Sequence, residues 1–151
     1  MVVKDGEPFE LFNQREVAHL RDVKGLFWLD YRLGLGTLLY VLAYAGGSLF
    51  WRRRRYWRQL AWGVVGGGGI TLALMLALGV GTLLNFDQLF LQFHLISFAN
   101  ELWMLDPTKD YLIMLFPRGF WYDAALLCGG ITAGLAVILG GVAGACLTRT
   151  R

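Results

Sequence analysis

FDQLFLQFHLISFANELWMLDPTKDYLIMLFPRGFW, residues 86–121, decides the fold. It is apolar enough to enter a membrane, yet it carries Asp87, His94, Asn100, Glu101, Asp106 and Asp110. A span facing lipid tolerates such residues only at high cost, so ionisable groups in an apolar run point to function. On either side lie long runs without charge, Leu60 to Leu84 and Tyr122 to Leu147 apart from Asp123 at its edge. Those runs are long enough to cross a ~30 Å hydrocarbon core. The central stretch is therefore expected to be held at the membrane surface by its neighbours, as a re-entrant or interfacial helical segment over 85–121.

Working toward the N-terminus, the arginines at 52–55 and 58 form one dense patch, preceded by another charge-free run, 33–51. Basic loops between spans lie on the cytoplasmic side. Of the 151 residues, 56% are hydrophobic, and the formal charge is +3. With a mean hydropathy of +0.50, the composition is that of a small polytopic membrane protein, and the localised charge gives no support to nucleic-acid binding. The expected architecture is an all-α polytopic membrane protein in one domain. An extracytoplasmic N-terminal segment, 1–32, carries a helix. Transmembrane helices follow at 33–51, 60–84 and 122–147, and the Arg loop at 52–59 is cytoplasmic. Arg149 and Arg151 also reach the cytoplasm if 85–121 does not cross.

The N-terminal helix is expected to begin near Gln14, because Asn13 and Glu16 make a capping-box pair. Val17, Leu20, Val23, Lys24 and Phe27 then give a helical stripe, and Glu16, His19 and Asp22 share a face. No signal-peptide pattern opens the chain. Gly66 to Gly69 is expected to let a neighbouring helix approach closely. Cys128 and Cys146 both fall in the last run, too far apart on one helix to bridge.

The chain has two histidines, His19 and His94, and this topology puts both outside. Histidine moves protons near neutral pH more readily than any other side chain. Each could instead be structural, His94 as a buried imidazole bonded to a carbonyl and His19 as a solvated residue. Together, with carboxylates nearby, they make a candidate site. Asp22 could orient the His19 ring or be a solvated charge. Asn100 could donate to an oxyanion or cap a turn. Asp106, before Pro107, could be a turn residue only, and Asp110 joins the same polar cluster. Lys24 and Arg118 could meet lipid phosphate or merely sit at the interface. No GxSxG, HExxH or P-loop pattern is present, and two histidines alone make a poor zinc site. No metal or cofactor is expected.

NQREVAHLRDVK, residues 13–24, and FHLISFANELWMLDPTKDYLIMLFP, residues 93–117, resemble the bacterial membrane family that includes the lipoprotein intramolecular transacylase, Lit. The order of Arg-rich loop, FH segment and last span is similar too. The resemblance implies transfer of the sn-2 acyl chain of a diacylglyceryl-modified N-terminal cysteine to that cysteine's α-amine, at the outer leaflet of the bacterial cytoplasmic membrane. The product is a lyso-form lipoprotein. It implies catalytic roles for His19 and His94, with Asp22, Asn100, Asp106 and Asp110 at motif positions. Such proteins have a transmembrane helix before the first histidine motif, which is not in this sequence, and often an acidic residue where this chain has Arg118. The competing expectations are a non-enzymatic membrane scaffold that docks a partner and a haem protein with both histidines as axial ligands.

Overall fold

The structure is a computed structural model and describes residues 2–4, 7–52 and 56–149. The arginines at 53–55, the centre of the expected cytoplasmic patch, and Arg151 lie outside the described residues. Four helices follow a short hairpin: β1 (Val2–Lys4), β2 (Glu7–Phe9), α1 (Gln14–Arg52), α2 (Trp57–Ser97), α3 (Tyr111–Leu115) and α4 (Arg118–Arg149). The expected all-α membrane fold is correct: α1, α2 and α4 each contain a stretch long and apolar enough to cross a membrane.

The hairpin was not anticipated. Its strands pair antiparallel, Val2 with Phe9 and Lys4 with Glu7. An Asp-Gly dipeptide lies between the strands in sequence, the signature of a two-residue hairpin connection.

The start of α1 is built as the capping box requires. Glu16 N–H donates to Asn13 Oδ1 at 2.9 Å, and Asn13 N–H donates to Glu16 Oε2 at 2.7 Å. The helix then continues without a break through residues expected to separate an N-terminal helix from a first span. No proline interrupts residues 14–52, and Asp30 and Arg32 can remain helical with their side chains outward. Likewise α2 runs past the expected span end at 84. Asn85 alone departs from helical geometry (φ −157°, ψ 80°), and the helix resumes to Ser97. The irregular parts of the 86–121 stretch lie after Ser97, up to the five-residue α3, and at Phe116 and Pro117 between α3 and α4.

The chain divides into two compact units, residues 1–32 with 86–123, and residues 33–85 with 124–151. The first contains every candidate site residue. Its apolar interior includes Phe86, Phe98 and Leu112, and Tyr122 meets Phe86 edge-on at 5.4 Å.

In the second unit α2 and α4 pack at a glycine. A Cβ at Gly68 would lie 3.3 Å from the Ala136 carbonyl oxygen and 3.8 Å from Gly140 Cα. Between membrane helices the gain comes from such close packing, since lipid is as apolar as the side chains it replaces. Thr82 and Thr132 direct their hydroxyls to the carbonyls of Leu78 and Cys128 on their own helices, which keeps them bonded in an apolar setting. We expect Gly68→Leu to force α2 and α4 apart and cost about 1–3 kcal/mol. Gly67→Leu, where nothing lies within 4 Å, should melt with the parent chain in the same detergent. Equal melting of the two variants would refute the contact.

Candidate active site

His19 lies near the start of α1 and His94 near the end of α2. Both are buried, at 7% and 8% exposure, and their ring centroids are 6.2 Å apart. The two residues, 75 positions apart, are thus brought together. Aromatic rings surround them. Phe98 presents an edge to His19 at 5.1 Å and lies 5.6 Å from His94. Phe90 and Trp103 lie 4.3 and 5.0 Å from His94. A largely apolar cavity of ≈ 340 Å³ has His94 in its wall, together with Phe27, Phe90, Phe93, Phe98 and Trp121. Its size and lining suit a small apolar ligand group.

The hydrogen bonds of the two rings differ. His94 Nδ1 lies 2.8 Å from the Phe90 carbonyl oxygen. A carbonyl only accepts, so this nitrogen carries the proton, and Nε2 of a neutral ring keeps its lone pair. The bond is the one a structural imidazole would make, and it is equally the one that prepares a base. In His19, Nδ1 is buried and has no hydrogen-bond partner among the described residues. Such atoms are rare in native interiors, and a catalytic role or a bound water accounts for them when they occur.

The polar residues divide by what they hold. Asp22 does not orient His19 by a hydrogen bond, as its spacing had suggested. Its Oδ2 accepts from Asn100 Nδ2 at 2.9 Å. Asn100 Oδ1 in turn accepts from Leu102 N–H, so Asn100 joins the loop to α1. Asp106 is the turn residue foreseen as one alternative. Its Oδ1 accepts from the Thr108 N–H and hydroxyl at 2.9 and 2.6 Å, and Lys109 stands 3.3 Å from its Oδ2. The Thr108 hydroxyl, then the Thr108 N–H, hold the Asp106 carboxyl below its ordinary pKa, with Lys109 adding to this. Asp110 is buried, accepting from Asn13 Nδ2 at 2.8 Å and from Asp106 N–H at 2.7 Å.

Lys24 and Arg118 lie apart from the rings. Lys24 lines an apolar groove along α1 with Phe27, Trp28 and Tyr31. Arg118 pairs with Asp87 at 2.6 Å, both well exposed. Such a pair adds about 0–1 kcal/mol.

Three contacts of importance were missed from sequence. Arg15 donates to the Glu101 carbonyl at 2.7 Å, Glu16 accepts from Leu112 N–H at 2.7 Å, and Trp103 covers His94. For Glu16 a signal existed, since a carboxylate in a capping box has a second oxygen free to accept. Nothing in the sequence marked the other two.

These features define an all-α membrane protein with a buried histidine pair in an aromatic, largely apolar site. The chain belongs to the lipoprotein intramolecular transacylase (Lit) family, whose model matches residues 4–121. It is 30% identical over 135 residues to an uncharacterized protein of Aquifex aeolicus (strain VF5), an alignment covering 88% of this chain and 57% of that protein. The chain thus spans little more than half the length of the curated relative it matches. No solved structure matches it.

Proposed function

We propose that this chain is an acyltransferase that moves the sn-2 acyl chain of a diacylglyceryl-cysteine to the cysteine α-amine, yielding a lyso-form lipoprotein. The observation that carries this reading is the pair of buried imidazoles 6.2 Å apart, one with its tautomer held by the Phe90 carbonyl. The family assignment supports acyl transfer as the class of reaction.

The chemistry needs a base, stabilisation of an oxyanion and return of a proton. A free α-amine loses its proton with a pKa of ~7.7–8.0, so a neutral imidazole is base enough. His94 Nε2 takes the amine proton as nitrogen attacks the ester carbonyl. The new C–N bond forms and the C–O bond breaks. The proton passes to the departing glyceryl oxygen, so nothing further is consumed. His19 assists as acid or electrostatic partner. Because amine and ester belong to one substrate molecule, positioning supplies much of the rate. The buried rings and apolar walls keep water, a competing acyl acceptor, from the ester.

Asp22 and Asn100 hold the loop to α1, while Asp106 and Asp110 shape its turn. Lys24, beside Trp28 and Tyr31, is placed to meet a phospholipid headgroup, and Arg118 is engaged with Asp87. Residues 33–51, 60–84 and 122–147 cross the membrane and 85–121 stays at the outer surface. The Arg loop at 52–59 faces the cytoplasm, and the site faces the extracytoplasmic side of a bacterial cytoplasmic membrane. The partner is the diacylated N-terminus of a lipoprotein.

Mass spectrometry of an N-terminal lipopeptide tests the proposal. The lipoprotein is co-expressed with this chain in a bacterium whose lipoproteins are otherwise only diacylated. An N-acyl, S-monoacylglyceryl cysteine is the expected product. An unchanged diacylglyceryl cysteine would refute the activity and favour a scaffold, which predicts instead a co-purifying partner.

A further inference from the structure

Glu16 is the most deeply buried ionisable side chain among the described residues, at 1% exposure. A carboxylate so buried must have its oxygens satisfied, or its cost is severe. Both are. Oε2 accepts from Asn13 N–H and Oε1 from Leu112 N–H, each at 2.7 Å. The first bond closes the start of α1. The second reaches 96 residues along the chain, to the first turn of α3.

From this we infer that Glu16 is a positioning residue that sets the approach of His19 to His94. It makes no contact with the reacting groups. The inference rests on the acyl-transfer reading for its activity test, though not for its structural one. His19 lies three residues beyond Glu16 on the same helix face. On the other side, the loop between Ser97 and α3 brings Trp103 to 5.0 Å from His94. That loop is tied to α1 at both ends. Asn100 meets Asp22 and the Glu101 carbonyl meets Arg15 at its start. At its far end, Asp110 meets Asn13 and Leu112 N–H meets Glu16. The Glu16 carboxylate joins the helix cap and the loop end through a single group, and the Asn13 amide beside it makes a second such link, from Glu16 N–H to Asp110. A shift of α1 against the loop changes the separation of the two rings, and small misplacements of reacting groups are costly to rate.

The residue type is demanded by the two donors. Glutamine has the same shape, but only one of its terminal atoms accepts. Whichever way its amide turns, an NH₂ faces a backbone N–H, so one bond is lost and replaced by a repulsive contact. Glu16→Gln thus breaks the link with almost no change of volume. Leu112→Ala is the complementary variant. It removes a buried side chain and keeps the N–H, so it should destabilise the fold and leave the link in place.

The test uses the full chain in nanodiscs with a synthetic diacylglyceryl-cysteine lipopeptide. Glu16→Gln should lower kcat at least about tenfold with KM within about twofold, and lower the melting temperature less than Leu112→Ala does. Leu112→Ala should keep most of the parent kcat. The chain has only two histidines, so ¹⁵N-histidine spectra report both rings directly. In Glu16→Gln, the ring signals should shift or broaden; in Leu112→Ala, they should match the parent. If Glu16→Gln yields no folded protein, Leu112→Pro replaces it. Proline deletes the donor in a first helical turn, where it is tolerated, and the same losses are expected relative to Leu112→Ala. Parent kcat and unchanged ring signals in the variant that breaks the link would overturn the inference. So would a kcat loss no greater than that of Leu112→Ala. If the parent chain itself lacks transacylase activity, the acyl-transfer reading fails, and the ring signals still decide whether Glu16 positions the pair.

Discussion

On the acyl-transfer reading, His94→Ala should remove lyso-form product, with a fall of about 10²–10⁴-fold expected for loss of a general base, while the protein remains in the membrane. The interpretation is sharpened by His94→Asn. Its amide N–H can stand in for Nδ1–H and keep the 2.8 Å contact with the Phe90 carbonyl, but nothing replaces Nε2. The asparagine variant should therefore fold like the parent and be as inactive as the alanine variant. His19→Ala should fall within the same range if His19 is the acid, and toward its lower end if it acts only electrostatically. The readout is the ratio of N-acyl to diacylglyceryl lipopeptide by mass spectrometry, with membrane-inserted protein quantified alongside. Full activity in both alanine variants would dismiss the two-histidine site. Activity in His94→Asn alone would reassign His94 as a structural imidazole, valued for its carbonyl contact.

Asp110→Ala should be the most damaging change to the irregular loop. The carboxylate is 9% exposed and serves two donors from different parts of the chain, Asn13 Nδ2 and Asp106 N–H. Alanine leaves both without that acceptor, and a part-buried hydrogen bond to a charged group contributes about 1.5–3 kcal/mol. The expected result is a melting temperature well below that of the parent chain in the same detergent. Asp87→Ala is the comparison. It breaks an equally short ion pair with Arg118, but an exposed one, worth about 0–1 kcal/mol. Burial, rather than distance, should separate the two variants. Equal melting of both would show that Asp110 is not a structural acceptor.

The helical membrane architecture was legible because apolar runs of this length have few soluble alternatives. The capping box at Asn13 and Glu16 was legible for a similar reason, since both partners lie within one turn. The histidine pair could be suspected because the chain offers no other histidine, but their meeting could not be read from residues 75 apart. Where local spacing competed with tertiary partners, the tertiary partners won. Asp22 shares a helix face with His19, yet its hydrogen bond goes to Asn100. Glu16 was legible as a cap and illegible as a tie to α3, because its second oxygen is matched with a backbone donor that any residue type would supply. The polar content of residues 86–97 argued against the preceding span continuing there and for a separate re-entrant or interfacial helical segment. Asn85 absorbs the irregularity, and the helix resumes beyond it.

The bond between His94 and the Phe90 carbonyl has one more consequence. It occupies one of the two nitrogens of the ring, so on the acyl-transfer reading His94 has a single port for exchange. Counted from the neutral amine, the reaction neither releases nor takes up a proton: the amine loses one and the glyceryl oxygen gains one, while an ammonium form must first give one proton to solvent. A base with one port can borrow that proton and hand it back from the same atom, without a relay through the rest of the protein. Once the amine is neutral, catalysis needs no wire to bulk water, and above the amine pKa of ~7.7–8.0 the turnover rate should be indifferent to the concentration of external buffer.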